Sequence, residues 1–207
     1  MRERFRTILG GGALAAALLA PSTGFAQFYL GGGGGQSTFD DLGEVRAACA
    51  TVGATCTLDD TDTGFKLFAG YRFSEYIALE GGYVDLGEAA ADTIVPVTAT
   101  AALSAHGGYV SLLPQIPVGT VGTIFGRIGL SIVEAELTAS GGGASFSDNS
   151  GAAGVVFGGG GEVHLTEQVS IRGEWERHSF DEALDIAGVE VEAPDIDLLS
   201  VSLVLRF

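Results

Sequence analysis

The stretch from Thr63 to Glu88, TGFKLFAGYRFSEYIALEGGYVDLGE, constrains this chain most, because it reads as two strands joined by Ser74, Glu75 and Tyr76. Phe65, Leu67, Ala69, Tyr71 and Phe73 alternate with Lys66, Phe68, Gly70 and Arg72. One face is apolar and the other carries charge. After the turn, Ile77, Leu79, Gly81 and Tyr83 alternate with Ala78, Glu80, Gly82 and Val84. A period of two puts successive side chains on opposite faces, as in a strand. By itself the hairpin leaves two environments open. In a soluble sheet the charged face meets water and the apolar face a core; in a membrane barrel the apolar face meets lipid and the charged face points inward.

The N-terminus places the chain outside the cytoplasm. Arg2, Arg4 and Arg6 precede an apolar run from Ile8 to Ala20, and Gly24-Phe25-Ala26 offers small residues where a signal peptidase reads. This is the pattern of a secretory signal peptide over 1–26, and the run is shorter than the ~20 residues a spanning helix needs. Residues 27–207 then form one domain. Without Arg2, Arg4, Arg6 and Glu3, 7 of the 10 cations and 25 of the 26 acids remain. So acidic a chain excludes nucleic acid as a partner.

Cys49 and Cys56 are separated by six intervening residues in an acidic segment of an exported chain, where a loop disulfide is expected. No His lies near them to complete a metal site, and no cofactor motif is present. The five glycines Gly31 to Gly35 lack the Lys-Ser/Thr ending of a phosphate loop and fit a crowded, coiled barrel strand.

Alternation recurs along the chain. It is read over Gln27–Phe39, Leu103–Leu113, Val121–Val133, Gly151–Leu165, Val169–Phe180 and Asp195–Phe207, which with the hairpin makes eight strands. The segments 40–62, 89–102, 134–150 and 181–194 read as long polar loops, and those at 74–76, 114–120 and 166–168 as short turns. Segregation of loop length by parity is the pattern of bacterial outer-membrane barrels. Charge is partitioned in the same way: Lys66, Arg72, Arg127, Arg172 and Arg206 fall on the inward faces with Glu80, Glu162, Glu174 and Glu176. Near-balance is what a closed interior requires, since unpaired buried charge is costly, and an eight-stranded barrel is just wide enough for side chains to fill. The fold expected is all-β, an eight-stranded antiparallel up-and-down transmembrane β-barrel.

GFKLFAGYRFSEYIALEGGYVDLGE, the opening FYLGGGGGQSTF and the closing DLLSVSLVLRF resemble the membrane domain of the OmpA-like outer-membrane barrels, over essentially 27–207. The resemblance implies a monomer in the outer membrane with both termini in the periplasm. It also implies that Phe207, preceded at alternate positions by Leu205, Leu203 and Val201, is the signal read by the barrel-assembly machinery. Members of the family often carry a peptidoglycan-binding domain after the barrel, which these residues do not include.

Two of the three histidines, His106, His164 and His178, are expected inside with satisfied hydrogen bonds. His178 and Ser179 suggest a lipid-modifying hydrolase, but neighbours in a strand face opposite ways, which speaks against an enzyme. The inward charges form either a plug or a gate whose pairs exchange, and the inward glycines Gly70, Gly82, Gly108, Gly129, Gly158 and Gly160 leave room for water. The acidic loops are expected to reach anionic outer-membrane lipid through Ca²⁺ or Mg²⁺. The role expected is structural or surface-interacting, with weak porin activity. A surface adhesin is the alternative, which long β-patterned loops would favour; these loops read as short and flexible.

Overall fold

The computed structural model describes residues 27–40, 56–94, 98–141, 144–180, 183–186, 189–192 and 194–207. The expected signal peptide and Cys49, and with it the expected disulfide, lie outside the described residues. The strands are β1 (Gln27–Phe39), β2 (Cys56–Asp59), β3 (Thr61–Ser74), β4 (Ile77–Ile94), β5 (Thr98–Val118), β6 (Gly122–Gly141), β7 (Ala144–His164), β8 (Val169–Phe180), β9 (Ala183–Ile186), β10 (Val189–Glu192) and β11 (Ile196–Arg206).

Eight of them close a barrel in the order β4-β3-β1-β11-β8-β7-β6-β5, with β5 paired back to β4, and every pairing is antiparallel. First and last strands meet in one continuous register from Tyr29 opposite Arg206 to Phe39 opposite Ile196. At this seam side chains are replaced by glycine. A Cβ on Gly33 would lie 2.1 Å from the Val201 carbonyl oxygen, and one on Gly35 1.9 Å from that of Leu199. The glycine run is therefore a close approach of backbones, as its crowding predicts.

The barrel is inside-out relative to a soluble protein. Lys66 is completely buried while Leu67, the next residue, is 60% exposed. The outward faces of five strands turn from apolar to polar toward the same end of the barrel: Tyr83 to Asp85, Ile132 to Glu134, Trp175 to Arg177, Leu199 to Asp197 and Phe65 to Thr63. Aromatic rings gather at both margins, with Phe65 against Tyr83 and Phe157 against Trp175 at one, and at the other Tyr71 tilted against Phe28 at 4.7 Å and edge-on to Phe73 at 4.9 Å. From Ile124 to Ile132 the band spans eight residue steps, about 26 Å along the strand. An apolar band flanked by two aromatic girdles is what a lipid-facing barrel wall requires.

Two expectations change above this band. The described residues of the segments 89–102 and 134–150 are paired strands: Ala89 to Ile94 opposes Leu103 to Thr98, and Glu134 to Gly141 opposes Gly151 to Ala144. β4, β5, β6 and β7 thus continue as one sheet beyond the barrel rim, with β2 added to the free edge of β4. Ala, Gly and Ser give these segments little strand propensity, but ladders already in register through the membrane band propagate upward at small further cost. A bulge between Asp85 and Glu88 marks the rim, where Gly87 takes φ +78° and donates to the Asp85 carboxylate. Within the segment 181–194, β9 and β10 pair as a small hairpin.

Candidate functional site: an ion-pair ladder inside the barrel

Strand parity delivers the charges to the interior, and cross-lumen pairs arrange them in series. Lys66 on β3 reaches Glu174 and Glu176 on β8 at 2.5 and 2.9 Å. Arg127 on β6 links Glu174, at 2.5 Å, to Glu80 on β4, at 2.6 Å. Arg172 joins the other oxygen of Glu80, at 2.6 Å, to Glu162 on β7, at 3.0 Å. Arg206 completes the series on Glu162. Cation and carboxylate alternate from the level of Lys66 down to the end of the barrel that bears the short turns.

Aromatic side chains set the ladder in place. Tyr29 and Tyr109 donate to the two oxygens of Glu80 at 3.0 and 3.1 Å, so this carboxylate is held by two guanidiniums and two phenols. Arg127 lies 4.9 Å from the Tyr109 ring, and Arg172 the same distance from both Phe68 and Phe125. These rings cover inward glycines. A Cβ on Gly70 would meet the Tyr29 ring at 2.0 Å, one on Gly31 the Phe68 ring at 2.2 Å, and one on Gly160 the Phe125 ring at 2.9 Å. The expectation that inward glycines leave room for water is corrected at these positions: the space is filled by rings from facing strands.

Toward the long-hairpin end the lining becomes apolar. Phe39, Leu86, Val133, Val156, Ile196 and Leu198 are buried together there. His178 sits at the junction, completely buried, with Nε2 3.7 Å from the Glu176 carboxylate and neither ring nitrogen hydrogen-bonded among the described residues. His164 is only partly buried, its Nε2 3.4 Å from the Thr123 hydroxyl. His106 and Gly108 face outward. This corrects the assignment of Gly108 to the interior: Tyr109 and Ser111 point in, while Val110 is 54% exposed to the lipid side. Gly107-Gly108 carries no facing signal, which leaves the parity of β5 unreadable until its partner Glu80 is placed. Tyr29, Phe68, Tyr109 and Phe125 are the interior residues sequence reasoning did not single out, and their signal was an inward aromatic opposite an inward glycine.

Arg72 also faces inward, at the short-turn mouth, outside the ladder. Val201, Leu203, Leu205 and Phe207 form the outward stripe of the last strand. The Ser179 hydroxyl donates to Asp195 on the face opposite His178, so the two cannot act as nucleophile and base. Among the described residues no three or more His, Cys, Asp or Glu side chains are placed to hold a metal ion.

An apolar wall around a charged, side-chain-filled interior defines a membrane-spanning β-barrel. The model of the OmpA-like transmembrane domain matches residues 24–207, and the chain belongs to that family of outer-membrane barrels. Among solved structures it is similar to Neisserial surface protein A, at 12% identity over 88% of this chain and 99% of that one, TM-score 0.53. OprG of Pseudomonas aeruginosa is similar at 14% identity over 88% and 96%, TM-score 0.56. So is the attachment invasion locus protein Ail of Yersinia pestis, in complex with sucrose octasulfate, at 12% identity over 88% and 97%, TM-score 0.51. At such identities the likeness extends to the fold alone. No curated protein matches the sequence.

Proposed function

We propose that this protein is a monomeric, closed outer-membrane barrel with a structural and surface-interacting role, its termini and short turns in the periplasm and its hairpins outside. The observation that carries this is the ladder: four cations and four carboxylates, each at least nine-tenths buried, occupy the lumen with aromatic rings packed against them. Rest is the closed state, and rare exchange of partners around Glu80 and Arg127 gives weak ion passage. The test is conductance of the refolded protein in planar bilayers. Wild type is expected to be silent or to open briefly, and Glu80→Ala or Arg127→Ala to open more often; a large steady wild-type conductance rules the closed barrel out.

A second reading, adhesion, is favoured by the continuation of β4 to β7 beyond the rim, which gives the surface a rigid sheet where short flexible loops were expected. Loss of cell-surface binding on trimming both hairpins, with the barrel still folded, would select it. Under either reading the apolar wall contacts lipid, and Val201, Leu203, Leu205 and Phe207 serve as the stripe recognised by the assembly machinery. Asp40, Asp195 and Asp197 gather around Arg177 at the rim, and Ca²⁺ or Mg²⁺ bridges the acidic rim to lipid phosphates. Chelator should then lower thermal stability in native lipid; an unchanged melting temperature removes the cation from the picture.

A further inference from the structure

The ladder ends unevenly. Arg206, the last cation, leans on Glu162, and Glu162 is already engaged by Arg172. Beyond it stands Arg72 on β3. Among the described residues its side chain makes no ion pair or hydrogen bond, and its Nε is buried without a partner. Counted with Arg72, the inward face holds five cations, Lys66, Arg72, Arg127, Arg172 and Arg206, against the four carboxylates Glu80, Glu162, Glu174 and Glu176. The surplus cation therefore sits at the short-turn mouth of a chain whose formal net charge is -16.

Its surroundings favour an anion. β3 and β11 flank β1, which places Arg72 and Arg206 two strand spacings apart, about 10 Å between backbones. Side chains of this length can span that gap; Arg72 feels Arg206 and Arg172 as like charges and Glu162 as an opposite one, but Glu162 is held by Arg172 and Arg206 and forms no ion pair with it. Arg206 is more than nine-tenths buried and its Nε also has no partner. On β8, next to β11, the Ser170 hydroxyl is fully buried and unpartnered. Like charges held together in a confined mouth are relieved by a counter-ion, and paired guanidinium forks match the oxygens of a phosphate.

We propose that the short-turn mouth of the barrel is a binding site for a phosphate-class oxyanion, held between Arg72 and Arg206 with Ser170 and His164 beside it. The oxyanion comes either from free phosphate or from a phospholipid head group folded into the rim. This site does not depend on whether the barrel conducts.

The test uses the full-length mature chain refolded in zwitterionic detergent at low salt. Inorganic phosphate is titrated and followed by phosphorus NMR, with short-chain phosphatidylglycerol as a second arm and phosphatidylcholine as its control. Saturable phosphate binding is expected, weakened roughly tenfold or more in Arg72→Gln and unchanged in Arg177→Gln at the opposite rim. Binding of phosphatidylglycerol but not of inorganic phosphate, with the same dependence on Arg72, assigns the head group as the source. Should Arg72→Gln fail to fold, Arg72→Lys decides: it keeps the charge and loses the fork, and weaker binding is again expected. No saturable binding in either arm, or binding untouched by substitution of Arg72, overturns the proposal.

Discussion

Glu80 is where the interior converges. Arg127 and Arg172 each take one of its oxygens at 2.6 Å, and Tyr109 and Tyr29 share those same two oxygens. Removing one partner of a buried pair leaves the other uncompensated and costs about 3–5 kcal/mol. Glu80→Gln should therefore lower unfolding stability by that order in a urea titration. Arg177→Gln, whose ion pairs lie at the partly solvated rim, should change it far less. Gly70 makes a second prediction at this scale. Its missing Cβ is the space taken by the Tyr29 ring, so Gly70→Ala must push Tyr29 off Glu80 and cost about 1–3 kcal/mol of overpacking. A double substitution with Tyr29→Phe separates the two effects: if Gly70→Ala is equally damaging with and without the Tyr29 hydroxyl, the loss is steric alone.

At the scale of elements, the sequence made the membrane band legible and the sheet above it illegible. In the band, lipid and lumen select opposite chemistries, so Leu67 beside Lys66 and Leu203 beside Ser202 print the period of two on the chain. Above the rim that contrast fades: AAADTI and TATAALSA are mostly small residues, and VEAELTASG alternates only as far as Leu137. There the register comes from the strands below. The ladder was legible for the same reason as the band, since charges stand out at inward positions; its aromatic braces were not, because Tyr29 or Phe68 at an inward position reads like any filler until the facing glycine is known. The dependence runs one way, from band to hairpin. Replacing 89–102 by a two-residue turn should leave the barrel folded, with the urea-unfolding midpoint of the wild type retained. A clearly lowered midpoint would show that the projecting sheet helps to hold the barrel.

Across the whole molecule, wall and interior exchange the roles they have in a soluble protein, and adjacent residues test this cleanly. Leu67→Arg places a charge in the lipid-facing band and should cost about 2–4 kcal/mol near mid-bilayer or prevent insertion. Lys66→Gln removes a cation that two carboxylates share and should insert normally with reduced stability; equal insertion of the two variants into lipid vesicles would contradict the inside-out arrangement.

The ladder also ties assembly to chain length. Lys66 meets Glu174 and Glu176 across 108 and 110 residues, and Arg206, which completes the series, is the penultimate residue. A nascent barrel holding β3 to β7 would carry Lys66, Arg72 and Arg127 against Glu80 and Glu162, without the glutamates of β8. The carboxylates that pair with Lys66 arrive only with β8, and long-range closure of this kind is slow to reward a folding chain. Closure waits for β11: a chain stopped before Ile196 leaves the edges of β1 and β8 unpaired and should fail to insert stably, however apolar its outer wall.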